Sequence, residues 1–227
     1  MGLFKNPLPS GQIDQTADKL SATISGIVPI FLQAITQNAN DFIQNFKQRD
    51  PTLKGRIPEW TDELAVETYG LNRKEVALTA LKAYLIFSVQ EYLSIQHLLD
   101  KKGRKHVVDK MVFLLTDDSN KTCFERVWAK IVQTPGDSVR KKELFVGNLL
   151  SSLALVDSAF LADDLNKIWH HYVAPIEAMS SCVILHVDKL LNPRNHPTQE
   201  QLTGEYLLAL SDFPLDRKSI QQILEKE

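Results

Sequence analysis

His170 and His171 are the only adjacent histidine pair in the chain, and two neighbouring imidazoles invite metal or acid–base chemistry. Helical geometry argues against it. Adjacent helical side chains diverge by about 100°, so the two rings do not close on one ion. A helical metal site needs a further ligand three or four residues away, as in HExxH. At those spacings His170 has Asn166, Lys167, Val173 and Ala174, and His171 has Lys167, Ile168, Ala174 and Pro175. None is a usual ligand. Asp163, Asp164 and Glu177 lie two turns off, about 10.5 Å along the axis. The spacing therefore predicts no metal site. Pro175 lacks an N–H and leaves the carbonyl of His171 unpaired, so "HHYVAP" is expected to be a helix kink, with Tyr172 inward and His170 toward water.

Other chemistry-bearing residues fare similarly. His186 falls within about 40° of the inward stripe of its helix, which predicts a core histidine bonded to a neighbouring helix. The same expectation is attached to His97. Asp62–Glu63, Asp117–Asp118 and Asp163–Asp164 lie near expected helix ends, where caps, the macrodipole and solvent account for them. Asp157 is in line with Leu153 and Leu161 and next to an expected helix break, which makes it a cap or turn residue. No ExxH, GxxxxGK[ST], GxGxxG or GxSxG occurs. No catalytic residue and no cofactor is assigned. An internal small-ligand or metal site, if the bundle had one, would draw on Tyr84, Tyr92, Asp157, Tyr172 and His186.

The elements that would position these residues are helices. Ile13, Ala17, Leu20, Ile24, Ile27, Phe31, Ala34, Asn38 and Phe42 step by three and four through Gly26 and Pro29 without losing phase, predicting one kinked helix. "DPTLKGRIP" is a loop, and a short helix over 59–69 is expected to end at Gly70. Asn72 then caps a long helix to about residue 100, carrying the stripe Leu78, Leu81, Leu85, Ser88, Tyr92, Ile95 and Leu99, with Ile86, Val89 and Leu93 beside it. Gly103 in "KKGRKH" breaks it, and a further helix ends at "DDSN". "TCFE" has capping-box spacing and opens the next helix. Residues 138–191 read as helix with a break near 157–158, including the ladder Leu161, Leu165, Ile168, Tyr172, Ile176, Met179, Val183, Val187 and Leu190. After the linker "NPRNHPT", Thr198 and Gln201 have capping-box spacing, and Asp216 caps a last helix.

These elements make the fold class all-α, a helical bundle with long, proline-kinked helices and short additional ones. Residues 1–191 form the bundle, with an N-terminal arm over 1–11, and 192–227 a helical appendage packed on it. The 227 residues are 44% hydrophobic and 24% charged, with a net charge of −2, which offers no general attraction to nucleic acid or anionic membrane. "KKGRKH" and "VRKK" are short and uninterrupted by aromatic residues, so nucleic acid is not an expected partner. Cys123 and Cys182 are expected to be buried free thiols. The longest uncharged apolar runs are 13 residues, against about 20 for a transmembrane helix, so no transmembrane segment is expected and the localisation is cytoplasmic. "MGLFKN" resembles an acylation signal apart from Asn6, leaving peripheral membrane contact through residues 1–10 as a minor expectation. The leading expectation is a non-enzymatic interaction or regulatory module that binds a protein partner or self-associates. The alternative is a bundle with an internal small-ligand or metal site, including an enzyme.

Overall fold

The computed structural model describes residues 9–49, 65–66, 70–135, 174–192 and 196–209. Six helices fall within them: α1 (Ser10–Arg49), α2 (Arg73–Ile95), α3 (Lys101–Leu115), α4 (Lys121–Gln133), α5 (Ala174–Leu191) and α6 (Gln199–Ala209). The all-α bundle is therefore the architecture of the described chain. One small addition precedes α2, where β1 (Ala65–Val66) pairs antiparallel with β2 (Leu71–Asn72), Val66 opposite Leu71.

The ladder in α1 is buried from Ala17 to Phe31, with Ile13 partly so, as its spacing requires. Ala17, Leu20, Ile24, Ile27 and Phe31 are all fully buried, and the helix runs unbroken through Pro29. Thr16 and Thr23 keep this face dry, because each hydroxyl donates to the carbonyl four residues back, Gln12 at 2.8 Å and Lys19 at 3.0 Å. By length and composition alone, Gly11–Gln37 is apolar enough to cross a bilayer, and no charged residue interrupts it from Leu20 to Gln37. Here about half of that apolar window (53%) is buried inside the bundle, against α3, α2 and α5.

α2 is the central helix. From Ala83 to Val89 every residue is buried, and the helix touches α1, α3, α4 and α5. Its start is fixed by a complete capping box. Asn72 Oδ1 accepts from the Glu75 N–H at 2.8 Å, and Glu75 Oε2 accepts from the Asn72 N–H at 3.0 Å. A second box opens α6, where Gln201 N–H donates to Thr198 Oγ1 and Thr198 N–H to Gln201 Oε1. The Thr198–Gln201 box stands where the spacing indicates one, and Asn72 caps α2 as expected, with Glu75 completing a box there.

Several expected boundaries move. The helix over 59–69 is corrected at its described end, because Ala65–Val66 is a strand and Gly70, at φ +65°, serves the turn of a hairpin. α2 ends at Ile95 rather than near residue 100, leaving Ile95 63% exposed, off the buried stripe. "KKGRKH" does not break a helix but opens one. Asp100 caps α3 by accepting from the Gly103 N–H at 2.7 Å, which outweighs the low helix propensity of glycine. α4 begins at Lys121, so Thr122 is inside it. The turn before it is organised by Asp117, whose Oδ1 accepts from the amides of Ser119 and Asn120. The parts of the expected helices over 138–173 and 216–227 lie outside the described residues.

Helix directions follow from the ties between helices. Tyr84 meets Glu177 and Tyr92 meets Asp188, so α2 and α5 run parallel. Asp14 meets His106 and Asp18 meets Lys110, so α1 and α3 also run parallel. The five-residue link 96–100 returns α3 antiparallel to α2, and Lys82 Nζ donates to the Leu115 carbonyl at their other end. α6 folds back along α5, with His186 against Tyr206 and Lys189 donating to Gln199 Oε1. The buried side chains of α1 to α5, with Tyr206 of α6, make one continuous core.

Candidate functional site

α5 carries three of the buried polar side chains, Ser180, His186 and Asp188. Beside its apolar ladder, Glu177, Ser180, Ile184, Asp188 and Leu191 follow one another by three or four residues, which places them on one line of the helix. Ser180 and Asp188 are buried and Glu177 is partly so. α2 supplies their partners. Tyr84 Oη donates to Glu177 Oε1 at 2.9 Å, and Tyr92 Oη to Asp188 Oδ1 at 2.7 Å. Asn192 adds a second donor to Asp188, its Nδ2 lying 2.9 Å from the same oxygen. These bonds answer a requirement of burial, since a carboxylate taken from water must be supplied with donors.

The environment fixes the protons. Burial and the adjacent Glu177 charge push the Tyr84 phenol far above its ordinary value. Burial, with the hydrogen bond to Asp188, pushes Tyr92 up to about 12. A general acid or base works best with a pKa near the working pH. These phenols are displaced the other way, so near neutral pH they remain protonated donors. The thiols follow the same pattern. Cys123 and Cys182 are free and 1% exposed, and burial pushes them up to about 11 and about 12. Thiols held this way are poor nucleophiles.

His186 sits on the other flank of α5, 3% exposed, with Nε2 2.7 Å from Tyr206 Oη. The two rings meet edge-on, their centroids 5.7 Å apart. This is the core histidine bonded to a neighbouring helix that its position in the ladder indicates. His97 corrects the same expectation. It lies beyond the end of α2 on an exposed turn, with φ at +50°, because the helix stops two residues before it.

Of the five residues suggested for an internal site, Tyr84, Tyr92 and His186 are described, and all three take part in contacts involving α5. They do not converge. Tyr84 and Tyr92 are two turns apart on α2, about 12 Å along its axis, and His186 faces α6 rather than α2. Asp157 and Tyr172 lie outside the described residues, as do His170 and His171, so the expected kink at "HHYVAP" is not described beyond Ala174, where α5 begins. Among the described residues no group of three or more His, Cys, Asp or Glu side chains could hold a metal ion. Sequence reasoning did not select Glu177 and Asp188 as partners of the tyrosines. The available signal was the polar line on α5 facing two tyrosines on the central helix.

The basic run that opens α3 is exposed and tied to α1. His106 Nε2 lies 2.9 Å from Asp14 Oδ1, and Lys110 Nζ lies 3.3 Å from that oxygen and 2.8 Å from Asp18 Oδ1. Hydrogen bonds from His106 and Lys110 hold the Asp14 carboxyl below its ordinary value. On the same helix Phe113 is 79% exposed and Leu114 44%. No family model matches this sequence, and neither the curated proteins nor the solved structures yield a match. The class that the fold defines is an all-α helical bundle.

Proposed function

We propose that the chain is a non-enzymatic interaction or regulatory module that uses the outer side of α3 to meet a protein partner or a second copy of itself. The observation that carries this reading is the solvent-facing pair Phe113–Leu114 on a helix whose other apolar residues are buried or partly buried. Isolated exposed apolar side chains are ordinary, but an adjacent pair including a phenylalanine at 79% exposure supplies the kind of anchor that binding surfaces use. The phenols, thiols and core histidine support the same reading from inside, because each is held in a state suited to structure rather than reaction. Proton transfer and nucleophilic attack need groups tuned toward neutrality, and burial pushes these phenols and thiols up and away from it, while His186 is bonded to Tyr206 in the core.

The test compares the wild-type chain with the double substitution Phe113→Ser, Leu114→Ser. Both positions face water, so the variant is expected to fold with an unchanged circular-dichroism spectrum. Sedimentation velocity and affinity capture are then run side by side. The expected outcome is an oligomer or a captured protein that the wild type retains and the variant loses. Identical sedimentation and identical captured sets from both chains would sink the proposal.

A further inference from the structure

The charges of α3 run against its own dipole. Beyond the Asp100 cap, its first turn holds Lys101, Lys102 and Arg104 and no acid, and its last turn holds no base. Asp117 and Asp118 follow just past its C-terminus. A helix is stabilised by anions at its start and cations at its end, so this arrangement costs α3 stability at both ends. Lys101, Lys102, Asp117 and Asp118 are all exposed.

Between those ends runs an outer line. Lys102, His106, Asp109 and Phe113 follow one another by four, three and four residues and are all exposed, with Leu114 on the flank. Within the described chain α1 and α2 pack against α3, and this line is left to solvent. Midway along it Lys105 and Asp109 neutralise each other as an ion pair. From its start to its end the outer side of α3 therefore reads basic, then apolar, then acidic.

A pattern of that kind is complementary to itself when reversed. A twofold axis near Asp109, laying a second α3 antiparallel on the first, brings Lys101 and Lys102 of each copy to Asp117 and Asp118 of the other. The same axis sets Phe113 and Leu114 against the Lys105 stem and the His106 ring of the other copy. The two helix dipoles then oppose each other, and every unfavourable end charge meets an opposite charge across the contact. A closed twofold contact needs one such patch, used by both copies.

We infer that the outer side of α3 is a self-association surface whose partner is a second copy of this chain, docked antiparallel with basic ends on acidic ends. The inference rests on the reading of Phe113–Leu114 as a binding anchor and commits that anchor to one occupant. A single helix pair lies at the small end of interface sizes, so the dimer is weak and sensitive to salt.

Sedimentation velocity of the full chain, over a rising concentration series at low and high sodium chloride, is compared with two charge variants. One carries Lys101→Glu with Lys102→Glu. The other carries Asp117→Asn with Asp118→Lys, the asparagine keeping a side-chain oxygen for the turn that Asp117 organises. Both sets of changes suit the helix dipole, so each variant is expected to fold at least as stably as the wild type. The wild type is expected to dimerise, with an affinity that falls as salt rises. Each variant alone should associate about tenfold or more weakly, because like charges then meet, and an equimolar mixture of the two should recover the wild-type affinity. A monomeric wild type, wild-type association by either variant alone, or a mixture no tighter than its components overturns the dimer. If the wild type stays monomeric while Phe113→Ser with Leu114→Ser loses a captured protein, the second copy is overturned and the reading of α3 as a binding surface stands.

Discussion

At the scale of single residues, the interior is organised by what burial does to acids. Tyr84, Tyr92 and both thiols hold their protons more tightly folded than unfolded. The stability this confers is complete below the ordinary thiol and phenol values of about 9 and 10, and is lost as pH rises through about 11 to 12. Equilibrium urea unfolding across that range should show a midpoint falling steadily with pH, and Tyr92→Phe should flatten part of the decline. The same substitution at neutral pH withdraws a donor from Asp188, which is 2% exposed and keeps Asn192. A loss of about 1.5–3 kcal/mol is expected from the urea midpoint. Both thiols should stay inert to Ellman's reagent in the native protein and react at once in denaturant. On the acid side the sign reverses. Asp14 is held below its ordinary value by His106 and Lys110, so the stability of the tie between α1 and α3 is fully present above that ordinary value and is lost as pH falls below it through the lowered folded-state value.

At the scale of elements, the ends of helices carry more of the legible and illegible detail than their middles. Spacing alone placed the α1 ladder, the α2 stripe as far as Tyr92, the Asn72 cap and the Thr198–Gln201 box, because each depends on residues within one or two turns, whereas the box expected at Thr122–Glu125 is not formed, since α4 starts at Lys121. The stop at Ile95 and the start at Lys101 were not legible, since Asp100 had first to accept from Gly103 before that glycine became part of a helix. Gly103 is also a point of close approach: a Cβ there would meet Asp100 Oδ1 at 3.0 Å and Ile13 of α1 at 3.5 Å. Gly103→Val should therefore destabilise by about 1–3 kcal/mol through overpacking, read as a lower urea midpoint. His97 offers the opposite case. Its left-handed backbone costs a branched or bulky residue about 1–2 kcal/mol, so His97→Gly is expected to raise the midpoint by about 1 kcal/mol, with no change in m-value. The pairing of Tyr84 with Glu177 and of Tyr92 with Asp188 was beyond local pattern, because it depends on which two helices become neighbours.

At the scale of the whole molecule, that choice of neighbours has a consequence in time. α2 and α5 lie parallel although the contacts joining them are 93 and 96 residues apart in the chain. A ribosome adds about 5–20 residues per second, so the side of α2 that receives α5 emerges roughly ten seconds before its cover has been made. α1, α3 and α4 can gather around α2 during that interval, being near it in sequence, while the side bearing Tyr84 and Tyr92 waits. Nascent chains stalled before Ala174 should crosslink to a holdase chaperone through α2, and chains extended well past Leu191 should not. The vulnerable period of this protein is thus set by the order in which its helices are synthesised.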